Sequence, residues 1–345
     1  MKKMTLTMVA LAAGMVAGAA IARNAKPPKA EPTMQKVLDA LASLKPKPIE
    51  TLDPAEARKQ PNAADAVEKV LLDAGQGTAP EPGVTMKTQT VQGKGGSFPV
   101  HIFTPEGAGP FPVVVYYHGG GFVIADTKVY EASIRALAKG ARAIVVSPDY
   151  RLAPEHTFPT QIDDAFATYQ WAIQNAGSFN GDATRVAVAG ESAGGNLATV
   201  VSMMARDRKV QLPLHQLLVY PVVDNDMNNA SYKKNANAKP LNKAMMGWFF
   251  KHYGADPKSP YALPLTAASL EGLPPATVIT AEIDPLMTEG KAYADRLQKE
   301  GVAVNYRHYT GVTHEFFGMG AVVPKAREAQ QFAAGELAKA FNARR

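Results

Sequence analysis

Apolar and polar positions along this chain alternate between a strand-like and a helix-like period. Phe111-Pro112-Val113-Val114-Val115-Tyr116-Tyr117 is apolar at every position, as a strand covered on both faces should be. Ala143–Val146, Arg185–Ala189, His215–Val223, Thr277–Glu282 and Val304–Tyr309 are further short runs that read as strands. Between and after them, Tyr130–Lys139, Ile162–Asn175, Glu289–Glu300 and Lys325–Asn342 read as helices, and another runs from Gly195 to Arg206. Strands alternating with helices predict an α/β fold with a mostly parallel central sheet and helices on both faces. Val84–Val91 and Val100–Thr104, joined through Gly93-Lys94-Gly95-Gly96, predict an antiparallel hairpin at one edge. Ahead of the sheet, Met34, Val37, Leu38, Leu41 and Leu44 repeat at helical spacing. Residues 34–75 are therefore expected to be helical, with a capped start at Asp53-Pro54-Ala55-Glu56. Residues 225–262 interrupt the alternation and carry Trp248, Phe249, Phe250 and Tyr253. They read as an inserted lid, or as a surface helix whose aromatics pack inward.

Composition narrows the class. The 345 residues are 46% apolar and 20% charged, which supplies a large core and excludes a disordered chain. Lys2 and Lys3, an apolar stretch from Thr5 to Ala20 and the small-x-small Ala20-Ile21-Ala22 predict a signal peptide over 1–22. Export to the periplasm or beyond follows; an uncleaved N-terminal anchor is the alternative, and cleavage leaves no stable membrane span. Residues 23–33, rich in Pro, Lys and Ala, read as a linker. The chain has no cysteine, which removes disulfides, thiolate metal sites and cysteine nucleophiles together. The net charge of +6 is scattered, and the densest stretch, Lys233-Lys234 to Lys243, lacks interleaved aromatics. A solvated surface is expected there, and nucleic acid is not an expected partner.

The chemistry concentrates at Gly190-Glu191-Ser192-Ala193-Gly194. A serine between a strand and a helix, flanked by glycines, has the form of a nucleophile elbow. A neutral hydroxyl needs a base, and the base needs an orienting carboxylate. In such sheets the order along the chain is Ser, Asp or Glu, then His. Of seven histidines only His308 and His314 lie beyond a suitable late carboxylate. His308 falls inside a strand, whereas His314 follows it at the edge where catalytic groups collect, so His314 is the expected base. Asp284, just past the Thr277–Glu282 strand, is the expected acid, with Glu282 its near rival and a helix cap the alternative role. His118-Gly119-Gly120-Gly121-Phe122 follows a strand directly. The N–H groups of Gly120 and Gly121, with that of Ala193, are the expected oxyanion donors, and His118 is expected to hold the glycine loop. His314-Glu315-Phe316-Phe317-Gly318 begins like a zinc-protease helix, but glycine stands where the second histidine would be needed, so no metal is expected.

Together these motifs resemble the hormone-sensitive-lipase-like branch of the α/β-hydrolase fold, a family of bacterial carboxylesterases. The resemblance rests on Tyr116–Phe122, Asp149-Tyr150-Arg151-Leu152-Ala153-Pro154-Glu155, Gly190–Gly195, Asp284-Pro285-Leu286 and Gly311-Val312-Thr313-His314. It implies a helical cap formed by the segment 23–83 and the insertion at about 225–262, over a catalytic domain spanning 84–345. It also implies a serine esterase acting on short acyl esters with no cofactor, and Arg151 and Glu155 as braces for loops around the site. Edge-strand homodimers are common in relatives. An amidase, lactonase or deacetylase would use the same residues. Plant gibberellin receptors share this fold but lack the histidine, and His314 argues against such a role. Two departures stand out: Glu191 where many members carry Asp, and Glu315 where many carry Gly. The second bears on acidity near His314.

Overall fold

The alternating apolar runs become one eight-stranded sheet in a computed structural model that describes residues 28–343. The leader expected over 1–22 lies outside the described residues. The strands are β1 (Val84–Gly93), β2 (Gly96–Pro105), β3 (Phe111–Tyr117), β4 (Ile144–Pro148), β5 (Gly181–Glu191), β6 (Gln216–Val219), β7 (Ala276–Ile283) and β8 (Val304–Thr313). The helices are α1 (Pro32–Ser43), α2 (Pro54–Ala57), α3 (Ala63–Asp73), α4 (Glu131–Ala141), α5 (Thr160–Asn175), α6 (Ala193–Asp207), α7 (Ala230–Lys234), α8 (Lys243–Tyr253), α9 (Met287–Lys299) and α10 (Pro324–Asn342). Strand order is β1-β2-β4-β3-β5-β6-β7-β8. β1–β2 and β2–β4 pair antiparallel, and every other pairing is parallel.

The period of two along β3 divides the core. Val113, Val115 and Tyr117 face one layer, with Ile162 of α5, Leu197 of α6 and Leu297 of α9. Val114 and Tyr116 face the other, with Ile134 of α4, Leu337 of α10 and Met34 of α1. A third apolar cluster sits at the carboxyl ends of the strands. It joins Ile49 and Ala57 from the N-terminal segment, Val123 after β3, Val222 after β6, Leu286 after β7, and Trp248 and Phe249 of α8. Arg58 fastens this region. Its guanidinium donates to Val123 O (2.8 Å), Ala153 O (2.8 Å) and both oxygens of Glu155.

Residues 34–75, expected to be helical with a new start at Asp53, fold as three helical pieces, and two strand expectations need correction. Pro46, Pro48 and Pro61 deny the backbone its N–H donors and fixed turns result, leaving α1, α2 and α3 as separate pieces. Asp53 does cap α2, accepting from Glu56 N at 2.9 Å. The strand expected over His215–Val223 is only β6, because Tyr220 turns at φ +37° and Pro221 has no N–H to continue pairing. β8 runs on to Thr313, past the expected end at Tyr309. Gly311, at φ +69°, accommodates an irregularity opposite Ala281 and Ile283. His314 is therefore the first residue after a strand, not a residue within a longer loop.

Candidate active site

The elbow forms where β5 runs into α6. Ser192 sits between them at φ +57°, ψ −119°, a strained conformation costing on the order of 1–3 kcal/mol. The surroundings over-determine it. Ser192 N–H donates to Val219 O (2.9 Å), and Val222 N–H donates to Ser192 O (3.1 Å). A Cβ on Gly194 would lie 1.8 Å from Tyr117 O, so glycine is what lets α6 meet β3 here.

The glycine loop after β3 is turned by Gly120 at φ +91°, whose O accepts from Ile124 N at 2.9 Å. Among the described residues, the N–H groups of Gly120 and Gly121 have no acceptor. Ala193 is the first residue of α6, so its N–H has no partner within the helix. His118 is buried, donates from Nδ1 to Gly119 O (2.8 Å) and stacks on Tyr150 at 4.2 Å between centroids. The Tyr150 hydroxyl in turn donates to His118 O at 2.9 Å. Phe249 of α8 fills the space a Cβ on Gly121 would need, with its Cδ1 at 2.2 Å from that point. Around these loops Arg151 donates to Asp164 (2.7 Å) and to Lys94 O (2.8 Å), tying the 149–155 segment to α5 and the β1–β2 turn.

The third part is built at the ends of β7 and β8. Asp284 and His314 are both buried, and His314 Nδ1–H donates to Asp284 Oδ2 at 2.8 Å. The other carboxylate oxygen accepts from Leu286 N at 2.8 Å, which fixes the carboxylate plane. That pairing selects the tautomer whose Nε2 is free to accept a proton. Burial lowers the His314 pKa, but Asp284, then Glu315 and Glu191, outweigh it and hold it above the ordinary imidazole value. Glu282, the rival acid, points elsewhere: its Oε2 accepts from Gly311 N at 2.9 Å. Among the described residues no direct hydrogen bond joins Ser192 Oγ to the imidazole; such bonds are often long before substrate binds.

Four further residues shape this site: Tyr220 and Asn235, which sequence reasoning did not single out, and Glu191 and Glu315, the two departures noted in the sequence. The Tyr220 ring lies 4.4 Å from the His314 ring, centroid to centroid, one residue beyond the carbonyl that pins Ser192. Asn235 Nδ2 donates to the backbone oxygens of Glu282 and Asp284, each at 3.0 Å, and steadies the turn that carries the carboxylate. Glu191, fully buried, accepts from the hydroxyls of Tyr116 and Tyr220. Burial, and after it Glu315, push its pKa up to about 7. Glu315 takes the left-handed conformation (φ +67°, ψ 1°), and its Oε1 accepts from Tyr130 OH at 2.7 Å. Burial raises its pKa against the opposing pull of His314 and Tyr130.

Comparison with known proteins identifies the family of the chain. The family described as alpha/beta hydrolase fold matches residues 114–318. The chain is 40% identical over 292 residues to carboxylesterase NlhH of Mycobacterium tuberculosis, covering 81% of this chain and 92% of that protein. It is 33% identical to an ethyl acetate hydrolase of Pseudomonas putida over 81% of this chain and 88% of the other. The crystal structure of a thermostable esterase from Pseudomonas putida ECU1011 superposes with a TM-score of 0.82 at 36% identity, covering 92% of this chain and 99% of that one.

Proposed function

This chain belongs to the alpha/beta hydrolase fold family, and we propose that it is a carboxylic ester hydrolase acting on short acyl esters through an acyl-enzyme on Ser192. His314 is the base, Asp284 the orienting acid, and the N–H groups of Gly120, Gly121 and Ala193 the oxyanion donors. The observation that carries the reading is the buried 2.8 Å bond between His314 Nδ1 and Asp284, formed at the sheet edge where the elbow turns. The relatives named a carboxylesterase and an ethyl acetate hydrolase support the ester bond, and the second supports a small acyl group.

Ser192 Oγ attacks the acyl carbon while Nε2 of His314 takes its proton. Asp284 keeps the imidazole in the right tautomer and stabilises the imidazolium that forms. The carbonyl oxygen, now negative, meets donors already aimed by the glycine loop and the first turn of α6. Each such donor is typically worth roughly 3–4 kcal/mol in the transition state. The alcohol leaves with the proton from His314, and water, activated by the same nitrogen, releases the acid. Phe249 against Gly121 limits the room beside the donors, in keeping with a short acyl chain.

The test is hydrolysis of p-nitrophenyl acetate, butyrate and palmitate beside an aryl amide. Turnover falling steeply from acetate or butyrate to palmitate is expected. Turnover of the amide alone would replace the ester reading, and turnover of none would remove it.

A further inference from the structure

His314 stands between two carboxyl groups, and only one of them has a part in the chemistry proposed above. Nδ1 is held by Asp284 at 2.8 Å, while Nε2, the atom that must take the serine proton, lies 3.7 Å from Glu315 Oε1. Resting on that reading of His314 as the base, we propose that Glu315 is a positioning residue. Its carboxylate faces Nε2, holds the imidazole from the side opposite Asp284, and sets the pH at which the base becomes available.

Three observations carry this. Glu315 is aimed: Tyr130 OH donates to Oε1 at 2.7 Å, and among the described residues His314 is its only ion-pair partner. Glu315 is also held in a conformation that glycine adopts more easily, at φ +67°, so the side chain is kept there against the backbone's preference. Finally, it is open to solvent from behind. With 21% of its side chain accessible, Glu315 lines a cleft of about 1050 Å³ between α3, α4 and α10 that also reaches Glu191.

The charges around it do not cancel the effect. Glu191, bonded to Tyr116 and Tyr220, adds a second acidic group behind the ring, and Tyr220 packs on the imidazole itself. The cleft brings Asp65 and Glu68 from α3, Glu81 ahead of β1, Asp126 and Lys128 ahead of α4, Glu131, Arg135 and Lys139 from α4, and Arg327 from α10. Arg135 is taken by Glu131 at 2.6 Å, Lys139 by Glu81, and Arg327 donates to Gly320 O at 3.0 Å. Among the described residues none of these cations, nor Lys128, pairs with Glu315.

The sign follows from which form works. Only neutral His314 can accept the serine proton. A negative charge near Nε2 favours the imidazolium, so the base stays protonated to a higher pH than Asp284 alone would impose. Since the groups interact, the acid limb of activity belongs to the cluster and not to one residue. Removing the Glu315 charge moves that limb to lower pH and leaves a weaker base above it.

The experiment is the pH profile of kcat/KM for p-nitrophenyl acetate with the parent enzyme, Glu315→Gln and Glu315→Gly. Glycine suits the local backbone, so the second variant should fold even if the first is strained. Both should shift the acid limb down by about one pH unit, with a several-fold lower alkaline plateau. Imidazole NMR titration of His314 in a Ser192→Ala background should show the same downward shift on loss of Glu315. An active parent with superimposable profiles and titrations across all three proteins overturns the role of Glu315. An inactive parent instead removes the esterase reading on which it rests.

Discussion

His308 and His314 lie six residues apart on one stretch of chain, and their surroundings push them in opposite directions. His308 sits within β8, where its Nδ1 pairs with Thr280 Oγ1 at 3.0 Å and burial lowers its pKa. His314 begins just beyond β8, more deeply buried, and yet its pKa is raised. Burial opposes charge on both rings. The difference is the partner: a hydroxyl satisfies a neutral imidazole, whereas a carboxylate stabilises the imidazolium that the proposed chemistry must form. The end of the strand matters because β7 and β8 run parallel, so their carboxyl ends deliver Asp284 and His314 side by side.

Removing the reacting groups is the strongest test of that contrast. Ser192→Ala and His314→Ala should each lower kcat/KM for p-nitrophenyl acetate by about 10⁴-fold or more while circular dichroism shows an unchanged fold. His308→Ala silencing the enzyme, with His314→Ala harmless, would exchange the two assignments. Next comes the carboxylate. Asp284→Asn should cost roughly 10³–10⁴-fold by offering Nδ1 the wrong partner. Glu282→Gln, whose parent side chain braces Gly311, should cost only a few-fold in rate and about 1 kcal/mol in denaturant stability. The smallest effect belongs to His308→Gln. Its rate should stay within about two-fold of the parent and its stability within about 1 kcal/mol, because only a neutral hydrogen bond to Thr280 is lost.

Legibility in the sequence followed the reach of each interaction. The elbow, the glycine loop and the residues after β7 and β8 could be read because each is a short contiguous pattern at the end of an apolar run. Asn235 could not. It lies among lysines and looks solvated, but its amide bonds to backbone oxygens 47 and 49 residues away. Tyr116 and Tyr130 likewise looked like ordinary core and helix-start residues, and their hydroxyl partners Glu191 and Glu315 lie 75 and 185 residues further on. The corrections to secondary structure are local in origin. Pro221 ends β6 early, and Gly311 lets β8 run on past Tyr309, both through backbone features that the apolar pattern does not carry.

The N-terminal arm is knotted to the strand that delivers the imidazole. Glu31 N–H donates to Gly311 O at 2.8 Å, Lys325 binds the Glu31 carboxylate at 3.1 Å and the Thr310 carbonyl at 2.7 Å, and Met34 touches Thr313. Mechanically, this is a load path. A tether or solid support attached just ahead of residue 31 would pull on the segment that aims His314, so the point of immobilisation becomes a variable in the rate.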